Sequence, residues 1–330
     1  DGLDRMFFSD NGSTAVEVAL KMAWQHCQRE APERQQVIAF DGAYHGDTFG
    51  AMALGERGLF SAPFEPLLFA VARAPWPATW WGDGEIEQKE AQALQRLDEL
   101  LQTPTAAVIF EPLLQGAGGM AMVRETFLQA VEQRAHAAGA LVIADEVLTG
   151  FGRSGSLFAC HRAGIAPDIV SLSKGLTAGF LPMGVTLASE ALYQSFVGPE
   201  PDRTFFHGHS FTANPLGCAA AVASLELLER EPQRYTSIEA RHRPHLEHLA
   251  EHRLVTKPRL LGGIAAFELP GDSGYLQPIG LEVLRLALEQ ALLIRPLGSV
   301  VYLMPPLGIN DGELAQCYAS LQAVLDALPL

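Results

Sequence analysis

The sequence predicts an α/β protein with a mostly parallel central sheet that is covered by helices on both faces. Short apolar runs of strand length recur along the first half of the chain, and stretches with helical periodicity separate them. Most residues of these runs are apolar, and the runs do not alternate regularly between apolar and polar residues, which is typical of parallel strands buried on both faces.

Six of these runs are predicted as strands because each is about as long as a strand and most end in polar or glycine-rich residues. They are Met6–Phe8, Val37–Phe40, Ala106–Phe110, Leu141–Ala144, Ile169–Leu172 and Gly184–Ala188. Helical patterns between them include Ser13–Cys27 and Glu125–Ala138. In such sheets ligands bind beyond the carboxyl ends of the strands, so functional residues are expected directly after each run.

Two composition changes divide the rest of the chain. The segment Arg73–Gln88 is rich in Pro and Trp without periodicity, which predicts a long surface loop whose tryptophans pack the loop or form an aromatic patch. The strongly charged stretch Glu229–Arg243 predicts a solvated helix and turn. We therefore expect a large domain at 1–228 and a smaller C-terminal α+β domain at 229–330, with helices such as Leu281–Ala291 and Asp311–Leu328.

Composition narrows the class of protein. A formal net charge of -15 over 330 residues argues against a nucleic-acid partner, which would need concentrated Lys and Arg. The four cysteines form no CxxC pair, so the spacing indicates neither a zinc site nor a disulfide framework, and a reducing, cytoplasmic location is expected. No signal peptide and no membrane-spanning apolar run is present. Because the chain enters an apolar strand almost at once, we expect a segment upstream of Asp1.

The first motif that carries chemistry is Asp10-Asn11-Gly12-Ser13-Thr14, which follows a predicted strand and opens a helix. Free N–H groups and the helix dipole make such a start an anion site, and Ser13 adds a hydroxyl donor. A helix cap without a ligand would use the same residues. The motif alone does not decide between these two interpretations.

The second motif is Asp145, at the end of the strand Leu141–Ala144. Its carboxylate could bind Mg²⁺, cap a helix or pair with a cationic ring nitrogen. The third motif is Lys174, which follows the strand Ile169–Leu172 and precedes Gly175. Lysine is seldom found at the mouth of an apolar strand without a partner. We expect its amine to be partly withdrawn from solvent and to act as a nucleophile toward an aldehyde.

An anion cradle, a carboxylate and a lysine match the phosphate, pyridine nitrogen and aldehyde of pyridoxal 5'-phosphate. The stretches that carry them resemble the class III aminotransferases over essentially the whole chain: DNGSTAVEVALKMA, FDGAYHGDTFGAM, IFEPLLQGAGGM, VIADEVLTGFGRSG, PDIVSLSKGLTAG and HGHSFTANPLGCAAA. The resemblance implies the fold type I architecture of pyridoxal-phosphate-dependent transferases. Nothing in this sequence matches the leading segment that the class carries.

The resemblance also implies roles for single residues. Lys174, Tyr44 and Asp145 would form the catalytic set, with Lys174 binding the cofactor covalently, Tyr44 stacking on one face of its ring and Asp145 pairing with the ring nitrogen. Gly12 and Ser13 would hold the phosphate. The remaining cofactor-binding residues implied are Val147, on the other face of the ring, and Gly208 and Ser210, which would reach the cofactor of the neighbouring subunit in a homodimer.

Substrate recognition is implied at three further positions. Asp47, in YHGDTFG, matches a position near the substrate amine, and Arg295, in IRPLG, matches an arginine that holds the carboxylate of the keto acid, with Tyr302 close behind. A surface salt bridge would be the other explanation for Arg295, although its apolar neighbours suggest that it is not free in solvent. Glu111 and Gln115 match positions that line the cofactor pocket, and Glu111 stays outside the catalytic set.

Within the class, the resemblance implies transamination of 8-amino-7-oxononanoate to 7,8-diaminononanoate with S-adenosylmethionine as amino donor, a step of biotin biosynthesis. Lysine is an alternative donor. Another class III enzyme, acting on ornithine, 4-aminobutyrate or diaminobutyrate, is an alternative, as is a catalytically incomplete fragment of the same fold. A nucleotide-binding α/β protein fits least, because the chain has neither a P-loop nor a G-x-G-x-x-G after a strand.

Overall fold

The computed structural model of the protein describes residues 2–271 and 277–329. Within these residues the strands are β1 (Arg5–Ser9), β2 (Gln36–Phe40), β3 (Ala72–Ala74), β4 (Thr105–Phe110), β5 (Leu114–Gln115), β6 (Ala121–Met122), β7 (Leu141–Asp145), β8 (Ile169–Leu172), β9 (Gly184–Ala188), β10 (Thr256–Leu261), β11 (Ile264–Glu268) and β12 (Val300–Leu303). The helices are α1 (Gly12–Glu30), α2 (Phe49–Leu54), α3 (Ile86–Leu100), α4 (Glu125–Ala137), α5 (Ala159–Ala163), α6 (Glu190–Gln194), α7 (Pro215–Arg230), α8 (Gln233–Thr236), α9 (Ile238–Leu249), α10 (Ile279–Glu289) and α11 (Asp311–Ala327). None of these described helices combines the length and apolar character needed to cross a bilayer.

The main sheet has seven strands in the order β1-β9-β8-β7-β4-β2-β3. Strand β9 pairs antiparallel with both of its neighbours, and every other pair in the sheet is parallel. Six strands therefore run in one direction, which confirms the predicted mostly parallel sheet and all six predicted strands. The carboxyl ends of β1, β2, β4, β7 and β8 consequently lie at the same edge.

Helices cover both faces of this sheet, as predicted. On β4, Ala107 and Ile109 pack in a cluster with α1 and α2, whereas Val108 and Phe110 pack in the opposite cluster with α3 and α4. Successive side chains of a strand point to opposite faces, so a strand covered on both sides is expected to be apolar at most positions. This is the physical reason for the continuous apolar runs in the sequence.

The prediction of a surface loop over Arg73–Gln88 is wrong at both ends. Strand β3 adds to the edge of the sheet beside β2, and α3 begins at Ile86. A strand of three residues is too short to show periodicity, and so it escapes detection in the sequence. Between them, Trp76 packs against Phe40, and its indole N–H donates to the Ala121 carbonyl at 3.1 Å. Loop packing is thus the role of this tryptophan.

The C-terminal part is α+β, as predicted. Strands β10, β11 and β12 form an antiparallel sheet, and α9, α10 and α11 supply much of a separate apolar cluster beside it. The charged stretch Glu229–Arg243 forms the end of α7, α8 and part of α9, with Ile238 and His242 buried, so it is not solvated on all sides. The division at 228/229 stays a prediction.

One buried arginine joins this C-terminal sheet to the hairpin β5–β6. Arg259, on β10, is 4% exposed and donates to the carbonyls of Gly119 at 2.7 Å and Met120 at 2.9 Å. Its guanidinium also lies 3.3 Å from the Glu268 carboxylate. Met120 has a positive φ of 52°, a left-handed conformation that costs energy for a residue with a side chain. The hydrogen bonds of Arg259 therefore stabilise a turn whose backbone is strained.

Replacing Arg259 by Met is expected to lower the free energy of unfolding by about 2–4 kcal/mol. The change leaves the carbonyls of Gly119, Met120 and Lys257 without this donor and leaves Lys257 as the remaining cation beside Glu268. Urea denaturation followed by circular dichroism measures the change. Arg285→Met is the matched control, since Arg285 forms only exposed ion pairs on α10. If the urea midpoint of R259M equalled that of R285M, Arg259 would not stabilise the turn as proposed.

Candidate active site

A cavity of about 750 Å³ lies at the edge of the main sheet where the parallel strands end. Its walls come from the segments that follow β1, β2, β4, β7 and β8. The three motifs singled out in the sequence meet here although they lie far apart along the chain. The polar and predicted functional residues that line it include Gly12, Ser13, Tyr44, His45, Asp47, Thr48, Glu111, Asp145, Val147 and Lys174.

The wall beside β1 is the start of α1. Asn11 caps this helix by accepting a hydrogen bond from the Thr14 N–H at 3.1 Å, and the Thr14 hydroxyl accepts from the Asn11 N–H at 3.0 Å. The Ser13 hydroxyl lies 2.6 Å from that of Thr48. The helix dipole and these two hydroxyls make the wall suited to an anion.

Gly12 brings the start of α1 close to the segment after β7. A Cβ atom on Gly12 would lie 2.6 Å from a methyl carbon of Val147, a distance that real Cβ contacts do not show. Only glycine therefore fits between the helix start and the Val147 side chain. The cradle and this apolar wall belong to one compact site.

Asp145 is the last residue of β7, and it is held by two hydrogen bonds. One carboxylate oxygen lies 2.7 Å from Nδ1 of His45, and the other accepts from the Val147 N–H at 3.1 Å. Both Asp145 and His45 are buried. Sequence reasoning missed His45, because 100 positions separate it from Asp145 and only the order of the strands brings them together.

Lys174 is the first residue of a short 3-10 helix after β8, and its φ of 37° is unusual for a residue with a side chain. Ser173 donates to the Met183 carbonyl at 2.6 Å and Ser224 donates to the Gly175 carbonyl at 3.1 Å, which fixes the turn on both sides. Backbone strain of this kind clusters at functional sites. The Lys174 side chain is exposed, so the expectation that it is partly withdrawn from solvent is wrong for this chain.

Tyr44 and Asp47 form a pair at the mouth of the cavity. Both residues line the cavity, and the Asp47 carboxylate lies close enough to the Tyr44 hydroxyl for its charge to act on that group. Burial raises the pKa of Tyr44 to about 12, and the negative charge of Asp47 adds to this effect. The phenol therefore stays protonated at neutral pH, and Asp47 presents a negative charge to anything that enters the cavity.

Glu111, which follows β4, is a second buried carboxyl group in the cavity. It accepts hydrogen bonds from the Tyr44 N–H at 3.1 Å and the Gly116 N–H at 3.0 Å. Burial raises the pKa of Glu111 to about 7, with a further contribution from the charge of Asp145. Gln115 lies on β5 and donates to the Asp41 carbonyl at 2.9 Å, so it ties the hairpin to the end of β2.

The raised pKa of Glu111 predicts a pH dependence of stability. The folded state keeps the proton up to about pH 7, whereas the unfolded chain releases it near the ordinary value of 4.5. Between these values the folded state binds more protons, so the free energy of unfolding falls as the pH rises. We expect wild type to lose about 1–3 kcal/mol relative to Glu111→Gln across this window. Urea titrations of both proteins from pH 4.5 to 8 measure the free energy of unfolding. If this free energy changed with pH in the same way in both proteins, the raised pKa of Glu111 would be contradicted.

Four predicted site residues do not line this cavity. Gly208 and Ser210 lie in an exposed segment before α7, where the His209 ring is 3.2 Å from Asp10. Arg295 is exposed, so the expectation that its apolar neighbours shield it is wrong. Tyr302 lies on β12 opposite Ala266. The structure thus brings together the predicted cofactor-binding residues that follow strands of the main sheet, but Arg295 and Tyr302, the predicted carboxylate-binding pair, do not line this cavity.

The fold agrees with that of known proteins, and the sequence matches a known family. The family model for aminotransferase class III matches residues 1–325. The chain belongs to the class III aminotransferases.

Within this family, individual proteins and solved structures are similar to the chain. The chain is 58% identical to the adenosylmethionine-8-amino-7-oxononanoate aminotransferase of Synechococcus elongatus, covering 99% of this chain and 77% of that protein. It is 42% identical to the protein of the same name from Geobacter sulfurreducens, covering 95% and 73%. The crystal structure of that aminotransferase from Methanocaldococcus jannaschii superimposes with a TM-score of 0.89 at 32% identity, over 100% of this chain and 76% of the other. A PLP-bound amine transaminase from an uncultivated Pseudomonas species gives 0.90 at 30% identity, over 98% and 76%.

Proposed function

We propose that this chain transfers an amino group from S-adenosylmethionine to 8-amino-7-oxononanoate, giving 7,8-diaminononanoate, with pyridoxal 5'-phosphate as cofactor. This is the step of biotin biosynthesis that the resemblance implies. The observation that carries the proposal is the meeting of an anion cradle, Asp145 and Lys174 in one cavity of about 750 Å³. The name of the relative at 58% identity supports the substrates.

The residues present fit the cofactor. Gly12 and Ser13 at the start of α1 would hold its phosphate, and Gly12 is the residue type that the close contact with Val147 requires. Tyr44 and Val147 would cover the two faces of the ring. Asp145, buried and held in place by two hydrogen bonds, would pair with the ring nitrogen.

When bound, pyridoxal phosphate supplies an electron sink for the carbanion of the amine substrate. The Asp145 carboxylate would keep a proton on the ring nitrogen, which makes that sink effective. The Lys174 amine would hold the cofactor covalently at rest and then carry a proton to and from the substrate carbon as general base and acid. Its exposed side chain leaves it room to change partners within the cavity.

Two groups of residues would select the substrate. Asp47, which lines the cavity together with Tyr44, would attract the amine of the substrate. Arg295, with Tyr302 nearby in the sequence, would pair with the carboxylate of the keto acid. The exposed guanidinium of Arg295 is available for such a partner. These roles remain predictions.

We also propose a homodimer with a shared active site. Phe206, Phe211 and Leu216 are 75%, 72% and 73% exposed and flank Gly208 and Ser210, the two residues that would reach the partner's cofactor. Large apolar side chains that are exposed along one short segment are typical of an interaction surface. A second copy covering them would bring the glycine and the hydroxyl donor to a phosphate. A cytoplasmic location stays a prediction.

An absorption spectrum of the purified protein with pyridoxal phosphate, before and after S-adenosylmethionine is added, tests the proposal. We expect the visible band of the bound cofactor to be replaced by the near-ultraviolet band of its amino form. Initial rates with both substrates varied should give parallel lines. Conversion by lysine, ornithine, 4-aminobutyrate or diaminobutyrate alone would reassign the donor. If the protein bound pyridoxal phosphate but no amine converted the cofactor to its amino form, the alternative of a catalytically incomplete fragment would be favoured.

A further inference from the structure

The imidazole of His45 is a buried group in the lining of the cavity. Its side chain has no exposed surface, and its Nδ1 lies 2.7 Å from the Asp145 carboxylate. Its other ring nitrogen, Nε2, is buried and has no hydrogen-bond partner among the residues that the structure describes. His45 lies on the segment that follows β2, two strands away from Asp145 at the end of β7.

This geometry favours one protonation state of the ring. A carboxylate only accepts hydrogen bonds, so the 2.7 Å contact requires a proton on Nδ1. A second proton on Nε2 would bury a charged N–H group without an acceptor, which costs more than an unpaired nitrogen lone pair. The ring is therefore a neutral imidazole with its hydrogen on Nδ1.

The contact also limits how the Asp145 carboxylate can turn. Val147 anchors one oxygen through its backbone N–H, and His45 anchors the other through a side chain packed on all sides. With the backbone anchor alone, the carboxylate could rotate about its last bond. The two anchors together hold its plane and keep its negative charge directed, without adding a positive charge of their own.

We propose that His45 is a positioning residue, which holds the Asp145 carboxylate in the orientation that the ring nitrogen of the cofactor requires. The inference rests on the proposed function for the identity of the cofactor. The hydrogen bond itself joins two residues of this chain.

Two substitutions separate the hydrogen bond from the size and polarity of the ring. In His45→Asn, the amide nitrogen lies near the place of Nδ1 and can still donate to Asp145. In His45→Gln, the amide lies near the place of Nε2 and leaves Asp145 without its donor. Both side chains are neutral and polar, so a purely structural role of His45 would not make His45→Gln more harmful than His45→Asn.

We expect His45→Gln to bind pyridoxal phosphate about 10-fold to 100-fold more weakly and to lower kcat by a similar factor, because a hydrogen bond to a buried charge is lost. His45→Asn should stay within about threefold of wild type in both quantities. The measurements are absorbance titrations with pyridoxal phosphate and steady-state kinetics. Equal losses in both variants, or no loss in either, would overturn the proposal.

Nuclear magnetic resonance of cofactor-free protein labelled with ¹⁵N in its histidine rings gives a readout that does not depend on activity. The resonances that disappear in His45→Asn should be those of a neutral ring with its proton on Nδ1. Resonances of a doubly protonated ring, or of the other tautomer, would overturn the proposal. Wild type that binds no pyridoxal phosphate while showing the Nδ1–H tautomer would refute the proposed function and leave the hydrogen bond standing.

Discussion

Replacing Lys174 by Ala is expected to lower the rate of transamination about 10³-fold or more, because the amine that would hold the cofactor and move the substrate proton is removed. The fold should persist, since the Lys174 side chain is exposed and the turn around it is held by Ser173 and Ser224. The measurement is kcat with both substrates at saturation, together with the circular dichroism spectrum.

Lys257→Ala is the control for this experiment. Lys257 pairs with Glu268 on the C-terminal sheet and does not line the cavity that contains Lys174. The K257A variant therefore lacks a lysine but keeps the cavity unchanged. Borohydride reduction of the loaded wild type should fix the cofactor to the peptide that contains residue 174, and mass spectrometry locates it. A label on Lys257, or full activity in K174A, would show that another group carries the chemistry.

The second large effect is expected at Asp145. Asp145→Asn keeps the size of the side chain and can still accept a hydrogen bond from His45, but it removes the negative charge that would keep the ring nitrogen protonated. We expect kcat to fall about 10²-fold to 10³-fold, the range seen when one preorganised electrostatic group is removed from an active site. Weaker binding of the cofactor should accompany the loss.

Asp41→Asn is the matched control for the Asp145 variant. Asp41 also follows a strand of the same sheet, at the end of β2, but it is exposed and does not line the cavity. Its variant should behave as wild type in kcat and in cofactor titrations. Equal activities of D145N and D41N would remove Asp145 from the proposed mechanism, whatever the other residues do.

Much of the site could be predicted from local sequence. Asp10–Thr14, Asp145 and Lys174 each stand directly after a continuous apolar run, and strands that are parallel must present such positions at one edge. The glycine-rich and charged residues at these places were therefore recognisable before any contact was known. The strand β3 could not be predicted, because three residues are too few to show a period. The face of α9 that buries His242 could not be predicted either, because the few buried positions of this helix lie among many charged residues.

By itself the sequence determined the class of fold, the edge of the sheet that carries the site, and the three groups that match the cofactor. Only the tertiary structure decided which residues surround them: His45 against Asp145, Gly12 against Val147, and the exposure of Lys174 and Arg295. The physical reason is the distance along the chain over which each kind of information acts. Periodicity and residue type record whether a position is buried, whereas the partner of a buried polar atom depends on strand order, which joins residues 100 positions apart.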